Sequence, residues 1–145
     1  MAAGSPLPPQ VKGVLADCGF TSAKAIIVKI CKQLHLPPKL LYPFIRLGAT
    51  LFSGFDLDSY SALEAVKTTS LPIIFFHGES DDFVPCDMSR QNYEACPSPK
   101  ALLTVPGAGH GLAYMGDPDG YLDILCRFFS ENGVPTALVE KIENS

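Results

Sequence analysis

The chain has 145 residues, 47% of them hydrophobic and 18% charged, with a formal net charge of −4. That balance is the reverse of a disordered chain's and is enough apolar matter for about one packed domain. The eleven Lys and Arg form no basic run, so neither nucleic acid nor an acidic membrane surface is an expected partner.

No repeat, long low-complexity segment or bilayer-length apolar stretch is present. Five cysteines, at 18, 31, 86, 96 and 126, are widely spaced with no C-x-x-C. That pattern argues against zinc or thioredoxin-like use and for reduced thiols in small core positions. Met1 is followed by Ala-Ala-Gly-Ser-Pro, with no basic or apolar leader segment. The cytoplasm is therefore the expected compartment.

Residues 4–10 carry three prolines and read as a loop. Val11–Ala16 reads as a buried strand closed by the turn residues Asp17, Cys18 and Gly19. Thr21 or Ser22 can cap a helix over 23–34, whose Ile26, Ile27, Ile30, Cys31 and Leu34 recur at helical spacing. Pro37-Pro38 ends it. Leu40–Phe52 is a second apolar helical stretch, with a break or kink expected from Pro43 and Gly48. Ser61-Ala-Leu-Glu64 fits a capping box, so a short helix is expected from 61 to about 67.

Leu71-Pro-Ile-Ile-Phe-Phe-His77 is the clearest strand, and its unbroken apolar run suits a parallel strand covered on both faces. Residues 86–95 read as a helix and Lys100–Val105 as a third strand. Pro106–Gly111 must be a loop. Asp117-Pro118 opens a final helix whose apolar face is Tyr121, Leu122, Leu125, Phe128 and Phe129; Gly133 and Pro135 stop it. Strands alternating with helices imply a parallel sheet, whose chemistry sits beyond the carboxyl ends of the strands.

Two segments follow such ends: His77-Gly-Glu-Ser-Asp81-Asp-Phe-Val-Pro85 and Gly107-Ala-Gly-His110-Gly111. If their strands are neighbours, an acid on one loop meets an imidazole on the next. A carboxylate on one ring nitrogen fixes the tautomer and leaves the other free to take a hydroxyl proton.

Here the sequence resembles the α/β-hydrolase superfamily. HGESDDFVP is similar to the family's acid loop H-G-x-x-D-x-x-V-P, and GAGHG to its histidine loop. VKGVLADCGFTS resembles the strand after the nucleophile's helix, and SALEAVKTTSLPIIFFHG the run into the acid strand. Within it, the sequence is similar to bacterial serine hydrolases with prolyl-oligopeptidase-like or carboxylesterase-like domains. The resemblance implies an α/β fold: the C-terminal part of a hydrolase sheet, about three parallel strands with flanking helices and a helical cap. It divides the chain into a remnant of the nucleophile helix and loop (1–10), a partial hydrolase domain (11–132) with a cap-like insertion (22–60), and a tail (133–145). It makes Asp81 the catalytic acid and His110 the base.

The family's G-x-S-x-G elbow does not occur in these residues. The expectation is a C-terminal fragment of a serine hydrolase, with ester, thioester or amide hydrolysis in the intact parent and no activity alone. A small acyl compound is the substrate implied for that parent, and no metal or organic cofactor is implied. The alternative is a non-catalytic remnant that pairs through edge strand 11–16 with itself or with an N-terminal half. Cys18 is the internal candidate nucleophile, but Ala16 and Phe20 stand where the elbow needs glycines. His77 reads as structural, His35 as a surface residue, Asp82 as a rival to Asp81, and Asp17 as a loop-binding or turn residue.

Overall fold

The computed structural model describes residues 7–134. The first six residues of the expected 1–10 remnant and most of the expected tail lie outside that range. Three strands, β1 (Val14–Asp17), β2 (Ile73–Gly78) and β3 (Lys100–Val105), form one parallel sheet in the order β1-β2-β3. Val14 pairs with Ile73 and Asp17 with Phe76; Ile73 pairs with Lys100 and Gly78 with Val105. All three strands therefore end at one rim.

The central strand explains its own position. Every residue of β2 is buried, and side chains alternate between faces. Ile74 and Phe76 meet Val105, Ala113, Tyr121 and Phe128 on one side. Ile73 and Phe75 meet Val66 and Cys96 on the other. Burying each such side chain stabilises by about 1.5–3 kcal/mol. One face is covered by α5 (Ala113–Gly116) and α6 (Pro118–Glu131), the other by α3 (Ala62–Thr68) and α4 (Cys86–Ala95). The result is a three-layer α/β arrangement.

Between β1 and α3 stand α1 (Ala23–Gln33) and α2 (Pro38–Ser53). The Ser22 hydroxyl caps α1 by accepting from the Ala25 amide at 3.2 Å. The expected break in α2 is absent: the helix runs unbroken through Pro43 and Gly48. Pro43 is the sixth helical residue, so its missing N–H forfeits a single bond, the one to the Lys39 carbonyl. The capping box at Ser61 is half made. Ser61 Oγ accepts from the Glu64 amide at 3.3 Å, but the Glu64 carboxylate turns to Lys67 Nζ at 2.6 Å. The first strand is shorter and later than expected, starting at Val14 rather than Val11. The four-residue α5 has no counterpart in the sequence reading. No described helix is long and apolar enough to cross a membrane.

Candidate functional site

The site is built where β2 and β3 end. The β2 end at Gly78 passes against the histidine loop so closely that a Cβ there would stand 2.3 Å from the Ala108 carbonyl oxygen. Glycine is thus a requirement of the approach. The Glu79 amide donates to Val105 O at 2.9 Å and the Ser80 amide to Ala108 O at 2.9 Å, locking the two loops side by side.

Asp81 follows. Its side chain is inaccessible to solvent and fully engaged. Oδ1 accepts from the amides of Phe83 (2.9 Å) and Val84 (2.8 Å). Oδ2 accepts from Nδ1 of His110 at 2.7 Å. Burial works to raise the pKa of this carboxyl, but the bonds from His110, Val84 and Phe83 outweigh it and hold the pKa below the ordinary 3.8. Asp81 is therefore ionised at neutral pH and can only accept, which places the Nδ1 proton on His110. The Nε2 atom is left available, on a side chain 46% exposed. The ring of Phe83 stands edge-on to this imidazole, centroids 5.2 Å apart.

His77 is fully buried behind the acid. The Val84 carbonyl lies 2.8 Å from its Nε2 and can only accept, so Nε2 carries a proton. The same nitrogen stands 3.2 Å from Asp81 Oδ2. Its Nδ1 faces the Ser89 hydroxyl at 2.6 Å. The ring thereby braces the 81–84 turn from below, in keeping with the structural reading.

The other candidates separate clearly. Asp82 is exposed. His35 lies in the exposed turn after α1 at φ 56. Asp17 accepts from the Tyr121 hydroxyl at 3.3 Å, tying the rim of β1 to α6. Cys18 does come to the rim: its Sγ, a carboxylate oxygen of Asp81 and a ring nitrogen of His110 lie within 4.8 Å of one another. These are the donor types of a metal site, but each Asp81 oxygen already takes an N–H donor, the pattern of a hydrogen-bonded pair. Two contributors were missed by the sequence reading. Lys29 of α1 donates to the carbonyl oxygens of Asp82 and Phe83, the latter at 2.9 Å. Phe83 occupies an unspecified position of the acid-loop pattern. Neither carries a local sequence signal, because both act through contacts across the fold.

The family model described as "Serine hydrolase (FSH1)" matches residues 8–112. The chain belongs to this serine hydrolase family. Among curated relatives, the serine hydrolase chain is 33% identical over 93 residues to the uncharacterized protein Rv2307c of Mycobacterium tuberculosis, covering 64% of this chain and 31% of that protein. It is 25% identical over 129 residues to the protein bem46 of Schizosaccharomyces pombe, covering 88% of this chain and 38% of that one. The chain thus spans about a third of the length of these relatives. Among solved structures, a puromycin-hydrolyzing peptidase of Mycobacterium tuberculosis superposes with a TM-score of 0.58 at 19% identity, over 85% of this chain and 19% of that one. The fold is that of the α/β-hydrolases.

Proposed function

We propose that this serine hydrolase chain supplies the acid–base half of an acyl-transfer site. The bond of 2.7 Å between Asp81 Oδ2 and His110 Nδ1 carries the reading. Asp81 orients the imidazole and steadies the imidazolium. His110 Nε2 takes the proton of a serine hydroxyl as it attacks the acyl carbon, then returns it to the leaving group. Water repeats the cycle on the acyl-enzyme. The chain's own residues perform the proton transfers; ester, thioester or amide is the substrate class.

The serine itself is proposed to come from polypeptide outside these 145 residues, seated beside β1. Two observations support this. No G-x-S-x-G occurs in the sequence. Moreover β1 lies at the edge of the sheet, beside an open cavity of about 290 Å³ lined by Val14, Ala16, Cys18, Phe20, Val66 and Phe75. By this reading residues 22–60, the α1–α2 segment, form the cap over the pocket, with Lys29 anchoring it to the acid loop.

Fluorophosphonate labelling tests the proposal. The 145-residue chain alone should stay unlabelled. Adding an elbow-bearing N-terminal segment from a relative should give labelling that His110→Ala suppresses. Strong labelling of the chain alone would refute an external nucleophile. The second reading, a non-catalytic module pairing through β1, is favoured by the same edge. It predicts stable association with that segment and no acyl turnover.

A further inference from the structure

Cys18 sits directly after β1 with φ 50. This is the left-handed region, which a residue with a Cβ occupies at a cost, and such costs gather where geometry serves function. The turn sends the sulfur inward, beneath the histidine loop. There the Gly111 amide donates to Sγ at 3.1 Å, across 93 positions of sequence. Cys18's own amide donates to Phe76 O at 3.0 Å. The residue after β1 is thus tied to β2 through its amide and to the histidine loop through its sulfur, and it is 7% exposed.

Two other roles fit poorly. A nucleophile needs thiolate, but burial pushes this thiol up to about 11, so it stays protonated near neutrality. An oxidation sensor needs exposure as well as thiolate character, and Cys18 has neither. What it offers is a fixed acceptor for an amide next to His110. That amide belongs to a loop with left-handed glycines at Gly107 (φ 75) and Gly111 (φ 68), a backbone that is costly to hold in one shape.

We infer that Cys18 is a positioning residue: its sulfur pins the Gly111 amide and so sets the His110 ring against Asp81. This rests on the acid–base reading of that pair. The test is NMR on the ¹⁵N-labelled 145-residue chain, following the Nδ1–H proton of His110 and exchange at the Gly111 amide. In Cys18→Ala, Gly111 should exchange about tenfold faster or more, as expected when a hydrogen bond is lost. The Nδ1–H signal should also move or broaden. Cys18→Ser keeps an acceptor and should restore both toward wild type. A well-dispersed Cys18→Ala spectrum with an unmoved His110 signal would overturn the inference. Should that variant not fold, the wild-type chain decides: a protected Gly111 amide supports the pin, and exchange at the rate of an unbonded amide refutes it. Asp81→Asn separates the two readings. If the downfield Nδ1–H signal survives that substitution, the Asp81–His110 reading fails. If it is lost there yet ignores Cys18→Ala, the role of Cys18 alone fails.

Discussion

The rim that holds Asp81 and His110 and the α1–α2 segment are opposites in how they are secured. At the rim, both Asp81 oxygens take N–H donors at 2.7–2.9 Å, and that side chain is out of solvent's reach. On α2, Leu40, Phe44, Leu47 and Leu51 form an exposed stripe at spacings of four, three and four residues, and Phe52 is 92% exposed. That segment is held by polar ties: Arg46 to Asp56 and Asp58, Tyr42 to Asp58, and Lys29 to the acid loop. The rim is over-determined and should tolerate little change. The α2 stripe should tolerate much, because its exposed side chains have little packing to lose, whereas Ile26, Cys31 and Tyr42 of the same segment are buried.

The largest expected contrast is catalytic. In an assembly that includes the elbow, His110→Ala should lower turnover of a short acyl ester by about 10⁴–10⁶-fold, the loss typical of a missing base. His35→Ala should leave it within about twofold. Equal losses would break the assignment of the base.

Next comes packing at the rim. Gly78→Ala would place a methyl 2.3 Å from the Ala108 oxygen and 2.5 Å from the Gly109 oxygen. Backbone cannot yield as a side chain can, so a loss of about 3 kcal/mol in urea unfolding is expected. A cost below about 1 kcal/mol would mean the two loops are looser than this contact implies.

Asp81→Asn should cost about 1–3 kcal/mol at pH 7, since it strips charge from three hydrogen bonds. The sign with pH follows from the lowered pKa. Folding makes Asp81 harder to protonate, so its contribution is whole above the ordinary 3.8 and drains away as pH falls below it. The gap between wild type and Asp81→Asn should therefore narrow below about pH 4. Chemical denaturation across pH 3–7 measures it, and a gap that widened on acidification would contradict the carboxylate's role.

The same division governs what could be read from the sequence. β2, α4, β3 and α6 were legible because Ile73–Phe76 is an unbroken apolar run and each helix has a plain start, such as Pro118 beside its Asp117 cap. The two loops that bring Asp81 and His110 together were legible because each carries its own glycines. The course of α2 was not, since Pro43 falls where the helix loses one bond rather than its axis. Four residues give no period, so α5 was invisible. The tie of Cys18 to the histidine loop was not legible, because its partner, the Gly111 amide, lies 93 residues away.

The smallest effect is the sharpest probe of the helical pair. Leu47 is 55% and Phe52 92% exposed, and a surface change away from packed features stays within about 0.5 kcal/mol. Leu47→Gln and Phe52→Ser should therefore leave the urea midpoint nearly where it was. The measurement gains force when repeated over a hundredfold range of protein concentration. If the stripe stays bare, wild type and variants should unfold alike at every concentration. If copies of the chain cover one another's stripes, the wild-type midpoint should rise with concentration and the variants' should not, because an association that buries apolar surface adds its binding free energy to stability. That second result would move α2 from the loosely held region into an interface, and the contrast with the rim would belong to the isolated chain alone.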